Sequence, residues 1–205
     1  MHEIIQAVLG GIIMSLGTAI AIYVDNEIVG AFIFASFLCF AFVWHFNLFS
    51  WVASYSTYHK GVHFKKHIST LLLTWFGNFT GAAISVAIFQ QMPIGDDISR
   101  KAVQICEGRI NNTPWGVFIM SVIAGFLMYA MLKHYSGPYS VTLLHTLSQL
   151  SIFGMAMAIW ICGFEELTSD MFIFTYTGAF TIRMALVTIG NLLGTMIIPL
   201  ANRIE

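Results

Sequence analysis

A succession of apolar blocks, each long enough to cross a membrane, limits what this chain can fold into more than any other feature. The blocks run over about 4–24, 28–50, 68–90, 114–134, 141–162 with a broken continuation to about 180, and 181–201. A hydrocarbon core about 30 Å thick takes roughly 20 helical residues to cross, so the blocks predict six membrane helices. Of the 205 residues 9% are charged and 58% hydrophobic, against about 25% charged in a soluble domain. The strict alternation that marks a membrane β-barrel is missing. An all-α membrane protein is therefore predicted, with lipid as its surround.

Six spans put both termini on the same side. The connection 51–67 carries Lys60, Lys65 and Lys66, and the positive-inside rule assigns it, and with it both termini, to the cytoplasm. Lys133 and Arg203 fall on that side, whereas Arg100, Lys101, Arg109 and Arg183 fall on the outer one. The first block lacks a basic n-region and a small-residue cleavage site, so it is expected to be a membrane helix rather than a signal peptide. A multi-pass protein of the cytoplasmic (inner) membrane is expected. A net charge of −1 argues against a nucleic-acid partner, and Cys39, Cys106 and Cys162 have neither metal-ligand spacing nor an obvious pairing. No metal or cofactor is expected.

Two short patterns recur at nearly one offset. Gly77-Asn78-Phe79-Thr80-Gly81 in the third span returns as Gly190-Asn191-Leu192-Leu193-Gly194 in the sixth, 113 positions later. Glycines four apart let helix backbones approach closely, and a buried Asn supplies a hydrogen bond across the contact. His45-Phe46-Asn47-Leu48-Phe49-Ser50, closing the second span, aligns with Gly163-Phe164-Glu165-Glu166-Leu167-Thr168 in the fifth at an offset of 118. Three spans followed by three place the halves in opposite topology. This is the pattern of an inverted repeat with paired interrupted helices near the midplane, where transport sites form. The reading is a single domain over 1–205, with repeats at approximately 1–90 and 114–205 and helices 2 and 5 interrupted.

These residues resemble the formate/nitrite transporter family. Leu48-Phe49-Ser50 resembles the Leu-Phe-Thr of its interrupted second helix. The run from Gly61 to Lys66, and then from Phe76 to Ala82, resembles its third-helix motif. Cys162-Gly163-Phe164-Glu165, followed by Met171-Phe172, resembles the signature of its fifth helix, and Thr188 to Gly194 its sixth. The resemblance implies a homopentameric channel of aquaporin-like fold for small monovalent anions and their acids. It places apolar constrictions at Phe34, Leu38, Leu48, Phe49, Val117 and Ile159, with Ser50 beside them, and a cation, Lys101, at the outer entrance. Three departures stand out: Glu166 where the family usually keeps a pore histidine, Asp170 where it keeps an asparagine, and Pro114-Trp115 for an Asn-Trp pair. The amphipathic helix that precedes the family's first span is expected to be absent.

The acids at 165–170 set the chemistry. A carboxylate in a membrane helix costs roughly 2.5–3.5 kcal/mol and usually faces the bundle interior or a water-filled cavity. Glu165 and Asp170 are expected to serve mainly as partners for backbone freed at the helix break, with Thr168 beside them, and Glu166 to face the pore. An anion meeting an ionised glutamate about 4 Å away is repelled by several kcal/mol at an intermediate effective dielectric. Either Glu166 is neutral and donates a proton or hydrogen bond to a passing anion or weak acid, or it stays ionised and favours a cation such as ammonium or a neutral solute. An enzyme reading finds no support, since His45, His134 and His145 show no HExxH spacing and no nucleophile motif. The remaining alternative is a non-conducting scaffold.

Overall fold

A computed structural model describes residues 2–56, 62–135, 142–178 and 182–202, and the described residues are almost wholly helical. In chain order the helices are α1 (His2–Tyr23), α2 (Glu27–Val43), α3 (Phe49–Ser54), α4 (Val62–Phe89), α5 (Gly95–Asn111), α6 (Pro114–Tyr135), α7 (Thr142–Ile161), α8 (Leu167–Thr177) and α9 (Ile182–Ala201). Among them α1, α4, α6 and α9 are long and apolar enough to cross a membrane, while α2 and α7 are apolar but shorter. Lys60 and Arg203, which the orientation argument uses, and the side chains of His134 and His145 lie outside the described residues.

The second expected span, 28–50, leaves helix early. α2 stops at Val43 and α3 begins at Phe49. The stop is local: His45 adopts φ 56°, its N–H donates to Phe42 O at 3.1 Å, and the Phe46 N–H donates to Ala41 O at 3.0 Å. That pair of bonds around a left-handed residue is a Schellman ending. The fifth span ends the same way after α7. Gly163 sits at φ 63°, its N–H donates to Trp160 O at 3.0 Å, and the Phe164 N–H donates to Ile159 O at 3.0 Å. A glycine takes this conformation without strain, whereas a histidine there costs about 1 kcal/mol or more.

The connection 91–113, which the apolar blocks leave between the third and fourth spans, contains α5. Its first turn holds Asp96 and Asp97 and its last turn Arg109, charges that suit the two ends of the helix dipole. Ile98, Ala102 and Cys106, four residues apart, form its buried stripe.

The two repeated motifs lie on α4 and α9, which form the most extensive helix contacts of the molecule, α4 with α1 and α9 with α6. At Gly81 a Cβ would collide with the backbone of Val8, and at Gly194 with that of Val122, so both crossings depend on absent side chains. The buried side chains form two clusters. One gathers Phe49, Val117, Leu167 and Phe172; the other gathers Phe34, Leu38, Leu48, Met128 and Ile159.

Candidate functional site

Backbone polar groups released where a helix stops inside a membrane must find partners within the protein. Here two asparagines supply them. Asn78, on α4, accepts the Phe49 N–H at 2.8 Å through Oδ1, and its Nδ2 donates to the carbonyls of Asn47 at 2.8 Å and Ala7 at 2.7 Å. Asn191, on α9, accepts the Leu167 N–H at 3.4 Å, and its Nδ2 donates to the carbonyl of Glu165 at 2.8 Å and lies near those of Val187 and Ser121. Each asparagine therefore holds the first N–H of a short helix, α3 or α8, and the carbonyl two residues before it. The partners keep the offset of 118, Asn47 to Glu165 and Phe49 to Leu167. Both asparagines are fully buried. The Ser50 hydroxyl donates to Asn191 Oδ1 at 3.1 Å and links α3 to the second hub.

The acids crowd the second break. Glu165, Glu166, Thr168 and Asp170 are all buried. Glu166 is the N-cap of α8: its Oε2 accepts the Ser169 N–H at 2.8 Å, and the Ser169 hydroxyl donates back to the Glu166 carbonyl at 2.9 Å. A carboxylate suits that position, because N–H groups and the positive end of the helix dipole meet there. The cap uses one oxygen only. Glu166 Oε1, Glu165 Oε2 and the Thr168 hydroxyl find no hydrogen-bond partner among the described residues, and neither do the buried hydroxyls of Ser15 and Thr18 on α1, which packs on α8.

Asp170, one turn into α8, forms a buried ion pair with Arg109, the last basic residue of α5. The Arg109 carbonyl in turn accepts from Arg183 Nη1 at 2.9 Å. Arg109 also feels the charges of Glu165 and Glu166, so α5 delivers a cation to the acid cluster. The sequence reading placed Arg109 only among the outer basic residues. Arg109 lies three residues beyond the buried Cys106 on the same side of α5, a spacing that the polar residues around it obscure in the sequence.

Lys101 stands apart from this cluster. Its Nζ donates to the Tyr23 carbonyl at 2.8 Å and to Asp25 Oδ1 at 2.6 Å, and it lies 5.7 Å from the centre of the Tyr23 ring. That hydrogen bond holds the exposed Asp25 carboxyl below its ordinary range. Lys101 thus ties α5 to the end of α1. The expected constriction residues are all buried but divide between the two clusters: Phe34, Leu38, Leu48 and Ile159 on one side, Phe49 and Val117 on the other. Leu48 and Phe49, adjacent in sequence, face opposite clusters across the first break. The helix-packing glycines 77, 81, 190 and 194 all lie at the α1–α4 and α6–α9 crossings, Gly77 against Ala7 and Gly190 against Ser121.

The family model of the formate/nitrite transporters matches residues 1–202. Among solved structures, one titled "Pentameric formate channel with formate bound" superposes with a TM-score of 0.77 at 16% identity, covering 98% of this chain and 95% of that one. A second, titled "FNT family ion channel", gives a TM-score of 0.77 at 16% identity, covering 96% of this chain and 86% of that one. No curated protein matches the chain.

Proposed function

The chain belongs to the formate/nitrite transporter family, a family of channels rather than enzymes, and on that premise we propose that it conducts a small monovalent anion or its weak acid. The class is that of formate, nitrite and hydrosulfide. The path runs through each protomer between the two asparagine-held breaks, with Glu166 at its midpoint. The observation that carries this reading is the pairing itself. Two buried asparagines brace two helix stops in the same manner, and the unpartnered oxygens of Glu165, Glu166 and Thr168 cluster at one of them.

We read the architecture as a 3+3 inverted repeat, α1–α4 and α6–α9, in which α2/α3 and α7/α8 are the interrupted helices. The apolar residues Phe34, Leu38, Leu48 and Ile159 then form one constriction, and Phe49 and Val117 flank the break from the other side. Apolar rings of this kind exclude a bare hydrated ion and pass a neutral acid more readily. Glu166 is positioned to hand over or receive a proton there through Oε1, while Oε2 stays with the α8 cap. Arg109 offsets part of the acid charge and lowers the repulsion an anion meets. A homopentamer in the cytoplasmic membrane, with both termini inside, completes the proposal.

A second reading rests on the count of charges. Glu165, Glu166 and Asp170 are three acids against two cations within electrostatic reach, Arg109 and Arg183, so the cluster keeps an excess of acid, and an ionised Glu166 in that setting favours ammonium or a neutral solute. Proteoliposome flux of formate, nitrite, hydrosulfide and ammonium, for the wild type, Glu166→Gln and Glu166→His, separates the two. The anion reading predicts formate flux in the wild type that falls in Glu166→Gln. Anion flux that emerges only in Glu166→His refutes it in favour of the second reading, and no flux of any solute leaves a scaffold.

A further inference from the structure

The offset of 113 that aligns Gly77 with Gly190 also aligns Leu72 with Ala185, Trp75 with Thr188 and Phe76 with Ile189. All six residues line one cavity of about 480 Å³ between α4 and α9, together with Leu71, its matching Met184, and Phe49. Trp75 Nε1 donates to the Thr188 hydroxyl at 3.1 Å, so two matched residues bond to each other and the cavity sits where the two repeats meet. The pairs are unequal. In each of the first three, α9 carries the smaller side chain, an alanine for a leucine, a threonine for a tryptophan and an isoleucine for a phenylalanine. Those exchanges leave room on the α9 side that a symmetric repeat would fill.

The lining decides what can occupy that room. Phe49, Leu71 and Met184 are buried and form the floor, while Leu72, Phe76 and Ile189 are exposed and form the rim. Thr188 supplies the one hydroxyl, and its proton already goes to the Met184 carbonyl at 2.8 Å while its oxygen accepts the Trp75 indole. A buried water needs about two to four polar partners, so water is a poor filler here, and a polar group entering would lose its own hydrogen bonds. The occupant must be apolar. Both α4 and α9 are long and apolar enough to cross a membrane, so the rim opens into lipid tails. A helix about 10 Å across is too wide for a gap that one indole and one hydroxyl bridge, whereas a single hydrocarbon chain is narrow enough. The floor gives such a chain a consequence. Phe49 is the first residue of α3, and its N–H is the one that Asn78 holds at 2.8 Å, so a chain in the cavity rests on the first helix break.

We propose that this cavity holds one acyl tail of a membrane lipid, seated against Phe49, and that the tail steadies the first helix break from the side. The site lies apart from the acids of α8 and does not depend on what the channel carries. Dioleoyl phosphatidylcholine is the probe. The full chain in its native assembly is loaded with it, washed in detergent and weighed by native mass spectrometry. The wild type is expected to retain one lipid per protomer. Ala185→Phe, which fills the cavity from its small side at an exposed position, should lose that lipid, and the milder filler Ala185→Leu should weaken its retention. Leu193→Phe, on the exposed face of α9 but outside the cavity, should keep it. In thermal unfolding, lipid returned to delipidated protein should raise the midpoint of the wild type and of Leu193→Phe more than that of Ala185→Phe. Equal retention in Ala185→Phe and Leu193→Phe, or none in the wild type, overturns the proposal. A wild type that retains no lipid, with an assembly that Ala185→Phe splits into protomers, assigns the face to a second copy of the chain and overturns it too. Neither measurement reads flux, so failure of the channel reading and failure of the lipid site are told apart.

Discussion

The ion pair between Arg109 and Asp170 can be tested as a closed cycle of variants. Asp170 is fully buried, and the Arg109 side chain is only 16% exposed. Removing one partner of such a pair leaves an uncompensated buried charge and costs about 3–5 kcal/mol. At 2–4 °C for each kcal/mol in a chain of this size, the midpoint of thermal unfolding should fall by about 6–20 °C. The two single variants should differ. In Asp170→Asn, Arg109 still feels Glu165 and Glu166, so the loss should lie at the lower end. In Arg109→Gln, three acids lose their nearest cation, and the loss should lie at the upper end. The double variant Arg109→Met/Asp170→Leu should return to wild-type stability or exceed it by about 1–4 kcal/mol, because apolar groups of similar volume need no desolvated charge. Because the double variant leaves the summed charge of the site unchanged, it should also retain anion flux, whereas Arg109→Gln should reduce it. The assay is thermal unfolding of the detergent-solubilised protein, with formate flux in parallel. Single variants whose effects add within about 0.5 kcal/mol in the double would refute the pair.

Three further outcomes follow from the geometry. Asn78→Leu and Asn191→Leu each strand the N–H of a short helix and the carbonyl before it, at about 1–3 kcal/mol for each orphaned group, so both should lose stability and flux together. His45→Gly should raise the unfolding midpoint by about 2–4 °C by relieving a left-handed histidine, whereas Gly163→Ala, at the matching stop, should lower it. The hydrogen bond from Lys101 depresses the Asp25 carboxyl in the folded state, so its contribution is present above the ordinary carboxyl value of 3.8 and is lost as pH falls through the lower folded value. Unfolding scans across that acid range should show the loss in the wild type, and Lys101→Gln should remove it.

Parts of this arrangement are legible in the sequence because local chemistry fixes them. The glycines at 77, 81, 190 and 194 mark close helix crossings because a Cβ at these positions meets a neighbouring helix. Gly163 marks the second stop because only glycine enters the left-handed region freely. The first stop carries no such mark, since His45 is an ordinary helix residue in sequence, and the apolar block therefore reads on to residue 50. α5 is hidden for a different reason: its exposed face is so polar that the stripe of Ile98, Ala102 and Cys106 is diluted below recognition. The partner of Asp170 lies 61 positions away on that unrecognised helix, so no local pattern could have joined them. Lys101 and Arg109 are equally basic on paper. Only packing decides that the first meets Asp25 at the surface and the second meets Asp170 in the interior.

The two breaks are alike in backbone and unlike in charge, and that contrast locates the chemistry. At the first, Asn78 serves Asn47 and Phe49, and the residues that match Glu166, Thr168 and Ser169 are Leu48, Ser50 and Trp51, so no acid stands at the head of α3. At the second, Asn191 serves Glu165 and Leu167, with Glu166 and Asp170 at the head of the same helix and Arg109 brought in from α5. Backbone satisfaction alone would need only the asparagines, as the first break demonstrates. At the second, Asp170 is tied to Arg109 and one oxygen of Glu166 caps α8, which leaves Glu165 and the other oxygen of Glu166 surplus to folding the break. Buried charge is costly to keep, and the channel proposed above gives it a use, because a neutral version of the same turn already works at the first break. Exchanging Leu48-Phe49-Ser50 for the matching Glu166-Leu167-Thr168 should then leave backbone geometry intact and add a charge barrier at the first break, read as a drop in formate flux without a change in fold by circular dichroism. Undiminished flux in that exchange would show that charge at a break does not control passage.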